Sequence, residues 1–209
     1  MEFMHAWLIL FVVNLVALMS PGPDFVMAVR NSVLYSRKAG IYTALGFAGG
    51  IVVHVFYSLV GLATIISQSV MLFSIIKYIG AGYLIYIGMK ALFSNGFDKK
   101  INLSGKTKTT MSNVKALRSG FVTNLFNPKA TMYFLALFTQ IIDPSTPFEI
   151  QLLYGATCVI STFIWFSIVA IVLTNQKIQK IFLNFTQWID RICGGLLIAL
   201  GIKLAVSKV

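Results

Sequence analysis

The chain is poor in charge, because only 11% of its 209 residues are charged, whereas soluble domains carry about 25%. It has six acidic residues, two histidines and two cysteines. So little charge cannot cover a water-facing surface, which excludes an ordinary soluble enzyme, a disordered tail and a nucleic-acid-binding module. The two cysteines, Cys158 and Cys193, both lie in apolar runs. They do not indicate a disulfide framework and are interpreted as small packing residues.

Long apolar runs dominate the rest of the sequence, with 57% hydrophobic residues and a mean hydropathy of +0.83. A membrane-spanning helix needs about 20 mostly apolar residues. The stretches that meet this need are residues 6–28, 40–64, 70–93, 119–142, 149–173 and 186–207. They do not alternate between apolar and polar residues as membrane β-strands do. The sequence therefore predicts an all-α integral membrane protein with six transmembrane helices.

The basic residues are distributed unevenly among the connections between these runs. Most of the 17 Lys and Arg follow the first, third and fifth runs, whereas Lys77, Lys203 and Lys208 lie on the opposite side. By the positive-inside rule, the basic connections are cytoplasmic and both termini are external. The net charge of +11 therefore marks orientation beside an anionic bilayer and does not indicate a nucleic-acid partner.

The chain contains an internal repeat. Residues 79–92 align without a gap to residues 192–205, with six identical positions that include two glycines and a lysine. The first and fourth runs are each interrupted by proline, at Ser20-Pro21 and Asn127-Pro128. Since each half has an odd number of spans, we predict two inverted three-helix repeats with broken helices 1 and 4, as in many secondary transporters.

These repeats divide a single membrane domain, residues 1–209, into three parts. The predicted parts are the first repeat, 1–93, a polar cytoplasmic linker, 94–118, and the second repeat, 119–209.

The first break is the segment Ser20-Pro21-Gly22-Pro23-Asp24. Proline removes a backbone donor but suits the first turn of a helix, and serine is a good N-cap. We therefore predict that one half-helix ends here and another begins at Ser20-Pro21, with Asp24 in its first turn against the positive end of the helix dipole. The freed backbone groups need partners inside the protein or a wet cavity. A purely structural kink is the alternative.

The second break, Asn127-Pro128-Lys129, is the counterpart of the first. Lys129 lies deep in its run, where a charge costs about 2.5–3.5 kcal/mol on insertion scales, so it needs a partner or a wet cavity. Asp24 is the only carboxylate that we place within a span. We therefore expect Asp24 and Lys129 to lie close together near the membrane midplane, with a purely structural pair as the alternative to a binding role.

These groups suit a zwitterionic substrate. Two half-helix N-termini and Lys129 would hold a carboxylate, and Asp24 would hold an ammonium group. Polar side chains beside them would bind a polar substrate side chain. The predicted substrate-binding residues are Ser20, Pro21, Gly22, Asp24, Asn124, Asn127 and Lys129.

The candidates for proton coupling are Asp24 and His54. His54 lies in the middle of the second run, and histidine titrates near neutral pH; a hydrogen-bonded packing histidine is the alternative. We predict no catalytic residue, metal site or cofactor. Gly46 and Gly50 form a G-x-x-x-G pattern that permits close helix packing, and Asp190-Arg191 is interpreted as a local pair at a helix end.

The motifs together resemble a known family. S-P-G-P-D at 20–24, G-F-V-T-N-L-F-N-P-K-A at 120–130 and G-L-L-I-A-L-G-I-K at 195–203 are similar to the lysine exporter superfamily, in particular its homoserine/threonine resistance branch. The resemblance implies a bacterial inner-membrane protein that exports threonine, homoserine or other neutral amino acids in exchange for protons. A homodimer is compatible with the sequence but not required by it.

Two other functions are alternatives for a chain of this composition. A metal-ion exporter or channel of the same superfamily would need several converging His, Cys or carboxylate ligands. A thiol–disulfide membrane enzyme would need two accessible cysteines close together, and Cys158 and Cys193 do not lie in the broken helices.

Overall fold

A computed structural model gives the fold of residues 2–20, 22–68, 70–94, 110–142 and 146–206. Within these ranges the chain forms helices and no strands, which confirms the all-α prediction. The helices are α1 (Glu2–Met19), α2 (Pro23–Leu34), α3 (Arg37–Gln68), α4 (Val70–Leu92), α5 (Asn113–Leu125), α6 (Pro128–Ile141), α7 (Phe148–Val172) and α8 (Gln176–Val206). Pro21 and residues 95–109 of the predicted linker lie outside the described residues.

Most of the predicted spans have a helical counterpart. Helices long and apolar enough to cross a membrane occur at Arg37–Gly61, Ser74–Leu92, Phe148–Val172 and Phe185–Lys203. The pair α1 and α2, bent by 60° at its break, is a further candidate span by length and composition. The predicted run 119–142 is instead divided between α5 and α6, which do not pass this test of length and composition, so a sixth span stays a prediction.

The helix α3 is the centre of the packing, with α5 on one side and α7 on another. Its contact with α5 is close because glycines lie on both surfaces. A Cβ atom at Gly46 would lie 2.1 Å from the carbonyl oxygen of Leu117, and one at Gly120 would lie 2.1 Å from that of Thr43. The packing role predicted for the G-x-x-x-G pattern is therefore confirmed at Gly46.

The helices α4 and α8 pack along each other in opposite directions. Gly88 faces Gly194 and Ile198, and Gly201 faces Ala81 and Ile85, so residue numbers rise along one helix as they fall along the other. At each of these contacts one of the two helices presents a glycine, which lets the other helix approach closely.

Two groups of buried apolar side chains form the interior. One lies where α1, α3, α4, α6, α7 and α8 meet, and the other lies under α2 between α3 and α7. Cys158 and Cys193 are buried and carry free thiols, which agrees with their interpretation as packing residues. Side chains of both groups also line a cavity beside the two helix breaks.

Candidate functional site

A narrow cavity of about 50 Å³ lies where the two helix breaks meet. The ends of the half-helices form its polar wall, and apolar side chains of α1, α2, α3, α6 and α7 form the remainder. The cavity is lined by Asn14, Ala17, Leu18, Ser20, Gly22, Asp24, Phe25, Ile51, Asn124, Asn127, Lys129, Ala130, Tyr133, Phe134 and Phe166. All predicted substrate-binding residues that the structure describes are among them, and Pro21 lies outside the described residues.

The first break differs in detail from the prediction. The second half-helix starts at Pro23, and its N-cap is Gly22 in an extended conformation (φ −162°, ψ −171°) without a side-chain cap. The expectation that Ser20 caps this helix is wrong, because Pro23 occupies the first turn, where its missing N–H group costs nothing. Asp24 lies in the first turn of α2, as predicted.

The second break has the predicted local structure. The side chain of Asn127 caps α6 by accepting a hydrogen bond of 3.0 Å from the backbone N–H of Lys129, and Pro128 is at the start of the helix. In a continuous helix the carbonyl of Asn124 would accept from residue 128. Residue 128 is proline and has no N–H group, so α5 cannot continue and the Asn124 carbonyl needs another donor.

Asp24 is held by Asn124 across the two breaks. The side-chain amide of Asn124 donates a hydrogen bond of 2.8 Å to Oδ2 of Asp24, and Asn127 lies beside the same carboxylate. The other carboxylate oxygen, Oδ1, and the side-chain oxygen of Asn124 are both buried without a hydrogen-bond partner within the described part of the chain. The site therefore presents acceptor atoms that lack a donor.

Lys129 has a different partner from the one expected. Its ammonium group donates a hydrogen bond of 2.9 Å to the backbone carbonyl of Ser20. The expected direct ion pair with Asp24 is not formed between these two described residues, because the carbonyl freed at the end of α1 takes the ammonium group. The two charges still interact electrostatically across the cavity.

His54 is buried in α3 and does not line the cavity. Its Nε2 atom lies 3.0 Å from the carbonyl oxygen of Asn124, and its Nδ1 atom lies 2.5 Å from the hydroxyl of Tyr57. A carbonyl oxygen only accepts, so Nε2 carries the hydrogen. The ring stacks on Phe134, with a centroid distance of 6.0 Å. Both nitrogens thus have protein partners, as in the packing alternative.

Asn14 is a residue of the cavity wall that we did not predict. It is fully buried and donates a hydrogen bond of 2.7 Å to Ser161, while the Tyr133 hydroxyl lies 3.5 Å from its side-chain oxygen. The sequence carried a signal for it, since an Asn-Leu pair precedes each break, at Asn14 and at Asn124.

Asp190 is a second buried carboxylate and corrects two expectations. It is 2% exposed and accepts a hydrogen bond of 2.7 Å from the hydroxyl of Ser94, so Asp24 is not the only carboxylate within a span. Arg191 lies over the ring of Trp188, 5.6 Å from its centroid, so the predicted local pair is wrong. Successive helix residues point about 100° apart, which turns these two side chains to different surroundings.

Comparison with known proteins identifies the family. The family model for LysE type translocators matches residues 15–208. The chain belongs to the LysE type translocator family. It is therefore a multi-pass membrane protein of a transporter family, as the apolar helices also indicate.

Individual relatives match over nearly the whole chain. An uncharacterized membrane protein YrhP of Bacillus subtilis (strain 168) is 29% identical, over 98% of this chain and 100% of that protein. The threonine efflux protein of Escherichia coli (strain K12) is 29% identical, over 94% of this chain and 95% of that protein. The threonine efflux protein of Salmonella typhi is 31% identical, with the same coverage of 94% and 95%. No solved structure matches this chain.

Proposed function

We propose that this LysE type translocator exports small neutral amino acids, threonine or homoserine among them, across the bacterial inner membrane in exchange for protons. The observation that carries the proposal is the placement of Asp24 and Lys129 on one cavity wall without a direct bond between them. A carboxylate and an ammonium group that face a common space complement the two charges of an amino acid. The two relatives named as threonine efflux proteins support the same substrate class.

The substrate ammonium group would bind at Asp24 and Asn124. Among the described residues, Asp24 Oδ1 and Asn124 Oδ1 are buried without a donor, and they are the acceptors for it. An ammonium group supplies three N–H donors and no acceptor, so it satisfies both oxygens. A buried acceptor left unsatisfied costs about 1–3 kcal/mol, which favours an occupant with donors.

The substrate carboxylate would bind at Lys129 and the helix N-termini. The ammonium group of Lys129 uses one donor for Ser20, and its other two donors have no acceptor among the described residues. The N-termini of α2 and α6 point their positive ends at the same cavity, where they favour an anion. The remaining wall combines polar groups at Ser20 and Asn127 with apolar side chains, which suits a short, neutral substrate side chain.

Binding would require the cavity to widen. A space of about 50 Å³ holds only a few water molecules, since each needs roughly 10–15 Å³ by this measure. We propose that the half-helices separate to admit the substrate, as expected of alternating access at discontinuous helices.

The contacts of α4 and α8 support a two-fold relation between the halves. In the sequence repeat, Gly88 corresponds to Gly201, and the pair Ala81 and Ile85 corresponds to the pair Gly194 and Ile198. Gly88 packs on the second pair, whereas Gly201 packs on the first pair. Each of these two contacts is therefore the counterpart of the other when the first repeat is exchanged for the second. This symmetry supports the proposed inverted repeat with six spans.

The proposal assigns the coupling proton to Asp24 in preference to His54. Asp24 lines the cavity, where a proton and a substrate ammonium group compete for the same carboxylate. His54 remains the second candidate, although both of its ring nitrogens already have protein partners. The alternative of a metal-ion exporter is disfavoured, because the ammonium group of Lys129 would repel a cation in this cavity.

Reconstituted vesicles test the proposal. Wild-type protein in vesicles with an imposed pH gradient should transport labelled threonine, and dissipation of the gradient should abolish net transport. Asp24→Asn keeps a partner for Asn124 but lacks the charge, so the protein that folds should lose transport at least tenfold. Glu149→Gln, at an exposed position in the first turn of α7, is the matched control. Failure of the wild-type protein to move any of a panel of amino acids would overturn the proposal.

A further inference from the structure

Asp190 is a buried carboxylate that the substrate cavity does not use. It lies within the apolar segment Phe185–Lys203 of α8, it is 2% exposed, and it is not part of the cavity wall. Packing alone does not require a carboxylate, and an ionisable group at such a position is costly. In membrane proteins such groups mark the paths of protons and ions.

The partner of Asp190 suits a group that changes its protonation state. The hydroxyl of Ser94, at the end of α4, lies 2.7 Å from its Oδ2 atom. A hydroxyl donates to an ionised carboxylate and accepts from a protonated one. It can therefore satisfy both states, whereas a Lys or Arg partner would favour the ionised state alone.

The charged surroundings of Asp190 connect it to the substrate site. On α6, the ammonium group of Lys129 interacts electrostatically with Asp190 as well as with Asp24. On α8 itself, the thiol of Cys193 lies within electrostatic range. On α4, which packs along α8, the charged residue nearest to Ser94 is Lys90, and its side chain is exposed. The helix α1 also contacts α8, and its titratable residues, Glu2 and His5, are confined to its start.

We propose that Asp190 is a second proton-binding group of the transport cycle, on the side of the membrane where α4 leads into the linker. The inference rests on the proposed proton-coupled export. In each cycle a proton binds a carboxylate oxygen of Asp190 and later leaves it for the aqueous phase, with Ser94 reversing the direction of its hydrogen bond.

Comparison of net transport with exchange tests Asp190 directly. Exchange of labelled substrate outside for unlabelled substrate inside needs no net proton movement, whereas transport driven by a pH gradient does. Asp190→Asn, which can still bond to Ser94, should retain exchange within about twofold and lose gradient-driven transport at least tenfold. Glu149→Gln should retain both activities.

Other outcomes for Asp190→Asn contradict the inference. Retention of both activities would show that no coupling proton binds there, and loss of both in a folded protein would assign Asp190 to the substrate path. If the variant does not fold, Ser94→Ala provides the test. An ionised carboxylate needs a donor more than a protonated one does, so loss of the hydroxyl should raise the pH midpoint of gradient-driven transport; an unchanged midpoint would overturn the inference.

The proposed function and this inference fail in different ways. Absence of amino-acid exchange by the wild-type protein would overturn the proposed function. Normal exchange by the wild-type protein, together with unchanged gradient-driven transport in Asp190→Asn, would overturn only the role of Asp190.

Discussion

His54 donates a hydrogen bond of 3.0 Å to the backbone carbonyl of Asn124, which is the carbonyl that loses its helical donor at Pro128. The amide N–H of Asn127 is a second donor to this carbonyl, at 2.9 Å. The side chain of Asn124 in turn donates to Asp24. A basic side chain of α3 therefore supports the residue that joins the two breaks.

At the first break, too, a freed backbone carbonyl bonds to a side chain from the opposite half of the chain. The carbonyl of Ser20, at the end of α1, accepts from the ammonium group of Lys129. Each break thus has a backbone carbonyl that bonds to a basic side chain from the other half. Within a membrane such carbonyls must find partners in the protein, so both breaks depend on the halves being packed together.

Substitution of His54 separates positioning from proton coupling. We expect His54→Gln to retain gradient-driven transport, because the glutamine amide can still donate to the carbonyl of Asn124. His54→Leu should lower the free energy of unfolding by about 1 kcal/mol, because Asn127 remains as a donor, and should lower transport. Thermal unfolding and the pH profile of transport measure these effects. A His54→Gln variant that folds but no longer responds to the pH gradient would assign the coupling proton to His54.

Gly50 is the position where α3 approaches the site most closely. A Cβ atom there would lie 2.3 Å from the side-chain oxygen of Asn124, so Gly50→Ala must displace that side chain from Asp24. We expect destabilisation by about 1–3 kcal/mol and a loss of transport. Gly61→Ala is the matched control in the same helix, because no atom of another described segment lies within 4 Å of its added Cβ. Equal thermal stability of the two variants would contradict the close contact.

The orientation of the chain can be tested with single cysteines. We expect Ser104→Cys, in the part of the linker outside the described residues, to react with a membrane-impermeant thiol reagent only after the membrane is opened. Glu149→Cys, exposed at the start of α7, should react in intact cells. The native cysteines are buried and should stay unreactive. Labelling of Ser104→Cys in intact cells would reverse the predicted orientation.

Local chemistry made the helix breaks predictable from sequence, because a proline acts on the few residues before it. The breaks, the cap at Asn127 and the first-turn position of Asp24 were all recognisable on this basis. The start of α2 was placed two residues too early, since two prolines compete for the first turn and sequence alone does not decide between them.

Contacts between distant segments were less predictable. The burial of Asp190 depends on where Ser94 lies in space, and the partner of Lys129 depends on which carbonyl the helix break leaves free. A single sequence gives neither distance. The position of α5 was also not predictable. Its first turns are polar, and composition alone does not tell whether such a segment is part of a membrane span or a helix packed against α3.

The two charges of the cavity can be removed singly and together. Asp24→Ala or Lys129→Ala alone should abolish transport and lower the yield of folded protein, because each change leaves the other charge without the opposite charge that it interacts with across the cavity. The double change removes both charges and should recover much of this yield. Recovery should be incomplete, since the carbonyl of Ser20 stays without its donor at a cost of about 1–3 kcal/mol. Yield, thermal unfolding and exchange in vesicles are the measurements, with Glu149→Ala as the control. A double variant that still transports would contradict the binding role, whereas a double variant no more stable than either single variant would contradict the electrostatic link between the two charges.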